Sequence, residues 1–249
     1  MNKNMKIGII TDIHSNIQAL NAVLNVFERL KVDKIICCGD IIGIGINPEE
    51  TVQALIKKKD MLIAVRGNHE QYLLNGLPTN IHDDKRKLSE EEIENHKWNH
   101  IKLSEKSRIF LNELEISKNI EIEGKRFYIV HYPIKADGTY KKHIKNPSII
   151  ENKEMFKEVD ADIFLYGHTH TSSVNNENDK WYINVGSLGC PLESDIAKAG
   201  ILEIENEKVE FNIVNVQYNV KEIIEEINKL KFPFYKKILQ IFYGENDRD

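Results

Sequence analysis

Short apolar runs recur along the chain, and amphipathic stretches separate them. The first run, KIGII, is followed by SNIQALNAVLNVFERL, where Ile17, Leu20, Val23, Leu24 and Phe27 recur at helical spacing behind a Ser15 or Asn16 cap. The next run, DKIICC, gives way to NPEETVQALIKKK, in which Pro48 opens a helix, and then to MLIAV. Strand and helix therefore alternate as β-α-β-α-β, the order of a layered α/β fold. From residue 81 to 113 the pattern changes to a charged stretch that reads as two helices, with Trp98, Leu103 and Phe110 turned inward. This is expected to be a helical, cap-like insertion near the functional site that shapes substrate choice. ISKNIEIEG and KRFYIVHYP then read as a hairpin, followed by a lysine-rich loop (135–146), a helix near Ser148 to Glu158, and the strand DIFLY. Strands KWYINVG, AGILEIE and KVEFNIVNV come next, and amphipathic helices fill 220–242. No repeat and no Gly-, Ser- or Pro-rich linker interrupts the pattern, so residues 1–249 read as a single domain.

Composition narrows the class of protein. With 249 residues, 41% hydrophobic and 29% charged, the chain is long enough to bury a full core. Its net charge of -5 supplies no broad basic field, which argues against a protein that grips long nucleic-acid backbones. A small phosphate-bearing partner stays open. Cys37, Cys38 and Cys190 are odd in number and lack metal-ligand spacing, so they read as buried thiols of a reducing compartment. The apolar run before Asp12 is too short for a signal peptide or a membrane span. The expectation is a cytoplasmic protein with no membrane partner, for which a homo-oligomer remains open.

The chemistry falls where strands stop. The apolar runs lead into Asp12 and His14, into Asp40, into Arg66-Gly67-Asn68-His69-Glu70, into His131, and into Gly167-His168-Thr169-His170. Five of the nine histidines sit at these strand ends, and the other four lie in charged segments. In α/β sheets, ligands bind beyond the carboxyl ends of strands, where residues remote in sequence meet. In Asp12/His14 and His168/His170 the i, i+2 spacing on extended chain would turn both side chains to one side. Taken singly, each motif has a plain reading: Asp-x-His as a turn and helix cap, GNHE as turn residues, His131 as a core histidine. Their coincidence at five strand ends favours a shared metal site. Aspartates, imidazoles and an asparagine without thiolate suit Mn, Fe, Zn, Co or Ni better than a structural zinc. Asp12, His14, Asp40, Asn68, His131, His168 and His170 are too many for one tetrahedral ion. They suffice for two if a carboxylate bridges. Two divalent ions and two aspartates leave surplus positive charge, which attracts phosphate and acidifies a bridging water to a hydroxide nucleophile.

In order, DIHSN, GD, RGNHE, a strand-end His and GHTH resemble the calcineurin-like metallophosphoesterases, and NVGSLGCP resembles a segment of their bacterial and archaeal YfcE-like, diadenosine-tetraphosphatase-related branch. The resemblance implies a four-layer α-β-β-α sandwich with a dimetal site at one sheet edge. It also implies that Asp12, His14 and His170 hold one ion, that Asn68, His131 and His168 hold the other, and that Asp40 bridges. His69 would be the general acid that protonates the leaving oxygen, or would stabilise the charge developing there. Arg66, Asn68 and His69 would contact substrate. Manganese is the first expectation for both ions.

Departures from the pattern narrow the substrate. Protein serine/threonine phosphatases of this superfamily carry an aspartate where GDIIGIGINPEE has Gly43, which speaks against that activity. Without that aspartate, Glu70 is a candidate to orient His69. Asn184, Gly186 and Ser187 read as a turn supporting the site. His96 and His100 have metalloprotease-like spacing but no glutamate between them, so they read as a solvated helix face. The resulting expectation is a dinuclear-metal phosphodiesterase or phosphatase acting on a small, nucleotide-like phosphoester. The alternatives are protein phosphatase-like activity, a DNA-end nuclease, or a catalytically silent metal-binding scaffold.

Overall fold

The computed structural model describes residues 5–78, 86–190 and 195–245. The start of the charged insertion, expected at residue 81, lies outside them. In chain order the elements are β1 (Met5–Ile10), α1 (Ile17–Arg29), β2 (Lys34–Cys37), α2 (Pro48–Ile56), β3 (Leu62–Ala64), α3 (Asn68–Asn75), α4 (Glu90–Ile101) and α5 (Glu105–Glu113). They continue with β4 (Ser117–Ile122), β5 (Lys125–Val130), α6 (Ile149–Met155), β6 (Ile163–Tyr166), β7 (Ser173–Glu177), β8 (Lys180–Asn184), β9 (Ile196–Glu205), β10 (Lys208–Gln217), α7 (Val220–Leu230) and α8 (Tyr235–Tyr243).

The strands form two five-stranded mixed sheets, β10-β9-β1-β2-β3 and β4-β5-β6-β8-β7. Alternation along each strand assigns its two faces. Ile7 and Ile9 of β1 join Ile36, Phe127, Ile129, Ile163 and Leu165 in a core between the sheets. Ile10, Ile35 and Cys37 face the other way, onto Leu20, Val23 and Phe27 of α1 and Val52 and Leu55 of α2. On the far side of the second sheet, Phe164, Tyr166 and Tyr182 pack on Met155 and Phe156 at the end of α6. The result is the expected α-β-β-α sandwich. Gly8 makes the α1 contact close: a Cβ there would lie 2.5 Å from the Phe27 ring.

The parallel pairs matter most for function. β1 runs parallel to β2 and β2 to β3, while β5, β6 and β8 are likewise mutually parallel. Each sheet therefore gathers several strand ends at one edge. A separate apolar cluster lies outside the two sheets, where Ile223 and Ile227 of α7 and Ile238 and Leu239 of α8 pack with Ile46, and Trp98 of α4 joins them. Leu103 is buried against α1 and α2, and Phe110 packs on the same core, as the insertion's inward residues were expected to do. The three cysteines are free and buried. No helix among the described residues is long and apolar enough to cross a membrane.

Because Phe27 is 2% exposed and fills the space above Gly8, Phe27→Ala is expected to lower stability by about 3–5 kcal/mol, read from urea unfolding. A loss below about 1 kcal/mol would mean that the α1 layer is not anchored there.

Candidate functional site

Five loops at the strand ends bring their polar residues to one place. His14 Nε2 meets His170 Nε2 at 3.0 Å, and His131 Nε2 meets His168 Nδ1 at 3.1 Å. Asp12 Oδ1 lies 3.4 Å from His170 Nε2, and Asp40 Oδ2 lies 3.1 Å from His131 Nε2 and 3.8 Å from His14 Nε2. The ligating atoms of Asp12, His14 and His170 lie within 4.8 Å of one another, as do those of Asp40, His131 and His168. A third overlapping group, His14, Asp40 and His69, links the first two. Each group joins residues from both sheets or from neighbouring strand ends.

The backbone achieves this in a way the spacing did not foretell. Asp12, His14, Asp40, His168 and His170 all have left-handed φ, from 47° to 74°. The expected extended pairing is therefore corrected: the strands stop before these residues, and each side chain is aimed by a tight left-handed turn. Such conformations are costly for non-glycine residues and persist only where surroundings over-determine them. Here the loops interlock. Asp12 N–H donates to Gly39 O and His14 N–H to Asp40 O, both at 3.0 Å. The His168 N–H donates to Asp12 Oδ2 at 2.9 Å, and a Cβ on Gly167 would come 2.0 Å from Thr11 Oγ1, so only glycine allows that approach. After β8, Asn184 donates to Gly167 O and Ser187 Oγ donates to Asp12 O. The NVGSLG segment thus braces the loops, in keeping with its reading as a supporting turn.

Glu70 is fully buried and does not contact the His69 ring through any hydrogen bond among the described residues. Its carboxylate accepts the N–H groups of Gly67, Asp40, Ile41 and Ile42 at 2.7–3.1 Å. The suggested role as the orienting partner of His69 is corrected on that ground. His69 is placed instead by its N–H, which donates to Asp40 Oδ1 at 3.0 Å, and by Gly43, where a Cβ would lie 2.0 Å from His69 Nδ1. An aspartate at position 43 has no room in this arrangement.

Electrostatics suit a cationic occupant. Burial opposes the charge on Asp12, but His170, His14 and His131 outweigh it and hold the carboxyl well below the usual range. Burial is likewise overcome at Asp40 by His131, His69 and His14. Burial lowers His131, yet the Asp40 and Asp12 carboxylates lift it to about 9. His69 goes the other way, held well below an ordinary imidazole by burial despite Asp40. Two imidazole pairs that meet nitrogen to nitrogen need a proton or a cation between them. Asn68 Oδ1 is buried with no hydrogen-bond partner. Two carboxylates, four imidazoles and an amide oxygen fit divalent cations of intermediate hardness. Arg66 stands at the end of β3 with its Nε buried and without a hydrogen-bond partner.

Two histidines were misjudged from sequence. His96 is 6% exposed and its ring centroid lies 5.0 Å from that of His69, so the solvated-face reading of His96 and His100 is overturned. Burial drives both down to about 4. The signal was obscured because the buried face of α4 is polar, made of Asn95, His96 and Asn99. His143, from the lysine-rich loop, places Nε2 at 2.9 Å from His168 Nε2. Nothing in its spacing marked it.

Residues 5–207 match the model of the calcineurin-like phosphoesterase superfamily domain. The uncharacterized protein MJ0912 of Methanocaldococcus jannaschii is 31% identical over 91% of this chain and 93% of its own length. The phosphodiesterase MJ0936 of the same organism is 24% identical over 82% of this chain and 96% of its own. In fold, the chain resembles the crystal structure of the hypothetical protein PH1004 from Pyrococcus horikoshii OT3, with a TM-score of 0.80 at 19% identity, covering 96% of this chain and 97% of that one.

The Glu70 anchor yields a test. Glu70→Gln keeps the shape but turns an amide NH₂ toward backbone donors, so metal-free protein should lose about 3 kcal/mol in urea unfolding. Unchanged stability would show that the loops do not depend on this carboxylate.

Proposed function

Because this chain belongs to the calcineurin-like phosphoesterase superfamily, we propose that it cleaves a small, nucleotide-like phosphodiester or phosphomonoester with two divalent ions. The observation that supports this most is the meeting of two three-residue ligand groups at one edge, with His69 beside Asp40. In this reading Asp12, His14 and His170 would hold one ion, Asn68, His131 and His168 would hold the other, and Asp40 would serve both. Manganese is our first expectation, and Fe, Ni, Zn or Co suit the same donors. The chemistry such ions supply when bound is positive charge for the phosphate and a more acidic water.

The chain's own residues do the rest. The surrounding imidazoles hold the buried Asp12 and Asp40 carboxyls well below their usual range, which favours the ionised form that can hold cations. His69 Nε2, 3.9 Å from Asp40 Oδ2, is proposed to give a proton to the departing oxygen. Burial holds the ring neutral in the free protein, and an arriving phosphate adds an anion beside it that favours the protonated form. Arg66, with its unsatisfied Nε, is proposed to contact a phosphate oxygen, and Asn68 and His69 to complete the substrate contacts. The complete donor set favours catalysis over a silent scaffold, and the contact between Gly43 and His69 disfavours the protein-phosphatase arrangement.

Metal-loaded protein should hydrolyse bis(p-nitrophenyl) phosphate and lose that activity on chelation. His69→Ala should slow turnover by about 10²–10⁴-fold while metal content, read by elemental analysis, stays at the wild-type level. No metal-dependent turnover across Mn, Fe, Co, Ni and Zn would sink the proposal.

A further inference from the structure

A cavity of about 230 Å³ opens against His69 and Asn68. Its apolar walls are Tyr72 of α3, Leu88 ahead of α4, and Phe234, Ile241 and Phe242 from the C-terminal segment. None of the C-terminal three belongs to the stretch that matches the family model, which ends at residue 207. Phe242 also approaches the candidate site directly, with its ring centroid 6.0 Å from that of His170.

From this arrangement we infer that the cavity is the leaving-group subsite, built to take one flat, uncharged aromatic ring. The inference rests on the hydrolase reading above. Position comes first. If His69 protonates the departing oxygen, whatever that oxygen carries extends past His69, and this is the cavity that His69 lines. Shape follows, since aromatic side chains from both α3 and the C-terminal segment line the cavity and favour a flat ring over a flexible chain. Size limits the occupant: drug-sized ligands need roughly 300 Å³ or more, so this volume suits a single ring system. Charge among the described lining residues disfavours a second phosphate. Arg86 and Glu92 at the rim are joined by two hydrogen bonds of 2.9 Å, so the guanidinium is already matched by a carboxylate. Beyond Asn68 and His69, which the hydrolase reading assigns to the metal and the phosphate, one unpartnered polar atom is left inside among the described residues. His96 lines the cavity, and its Nδ1 is buried with no hydrogen-bond partner, which an edge nitrogen or N–H of a heteroaromatic ring would supply.

Calorimetry on metal-loaded protein tests this with benzylphosphonate and ethylphosphonate, which have no ester bond to cleave. Burying the ring should make benzylphosphonate bind about tenfold to a hundredfold more tightly. In Ile241→Trp that ratio should fall below about threefold; Ile241 is 52% exposed, so the larger ring fits at the mouth without disturbing the core. Turnover of benzyl and ethyl esters, both as monoesters and as methyl diesters, should show the same preference in kcat/KM and the same loss in the variant. Equal binding of the two phosphonates, binding of neither, or a preference that survives Ile241→Trp would overturn the inference. If esters are cleaved without a benzyl preference, the subsite falls and the hydrolase reading stands. If no ester is cleaved while the phosphonate preference holds and is lost in the variant, the ring-binding cavity stands and its leaving-group role falls with the hydrolase reading.

Discussion

Glu70 is buried without exposure and accepts four backbone N–H groups, from Gly67 on its own loop and from Asp40, Ile41 and Ile42 on the loop after β2. Burial and the neighbouring Asp40 push its carboxyl up to about 7, while the N–H groups of Gly67 and Ile42 pull the other way. With both oxygens occupied by donors, a proton would have to displace one of them, so the geometry favours the ionised form. The consequence extends beyond Glu70 itself. Fixing Asp40 N and Gly67 N to one carboxylate sets the distance between the ends of β2 and β3, and with it the positions of Asp40, Asn68 and His69. No apolar contact specifies direction in this way, because dispersion is nearly isotropic and hydrogen bonds are not.

The same logic explains why the strained residues occur where they do. A strand alternates its side chains between faces, so it cannot direct successive ligands toward a point beyond its end. Left-handed turns at Asp12, His14, Asp40, His168 and His170 solve that geometric problem at a cost of order 1–3 kcal/mol each. The cost is offset by bonds between loops rather than within them: Asp12 N–H to Gly39 O, His168 N–H to the Asp12 carboxylate, Ser187 Oγ to Asp12 O. Each loop is therefore rigid only in the presence of the others, which ties the site to the completed sandwich.

This also decides what could be read from sequence. Strands and helices whose apolar residues face a sheet core were legible, since their period survives in the letters: β1, α1, β2, α2, β5 and β6 all fall where the pattern put them. The strand-end clustering of Asp12, His14, Asp40, Asn68, His131, His168 and His170 was legible for the same reason, because a strand end is visible once the strand is. What escaped has a polar face turned inward. Strand β7, SVNNE, has few apolar residues to alternate, and α3 begins within the GNHE motif, whose residues read as a turn. Helix α4 buries Asn95, His96 and Asn99, with Asn99 donating to Gly45 O and accepting from Ser15 Oγ. A helix docked through hydrogen bonds leaves no hydrophobic stripe, so His96 looked solvated. His143 was hidden by distance, since only the fold shows that a lysine-rich loop returns to His168.

The polar docking of α4 has a functional corollary. Its contacts with the Ser15 and Gly45 loops hold the helix beside the ligand cluster, while Trp98 on the same helix packs against Phe232 with ring centroids 4.9 Å apart. Asn95 completes the link by donating to both Ile44 O and Pro233 O. One helix thus ties a strand-end loop to the C-terminal segment, and the cavity beside His69 lies where the three meet. The strand ends of the sandwich supply the ligand cluster, while the charged insertion and the C-terminal helices supply walls of the cavity beside it. A change in either of those peripheral segments would alter the cavity without touching Asp40 or Glu70, so the cavity wall and the ligand cluster are built by separate parts of the chain.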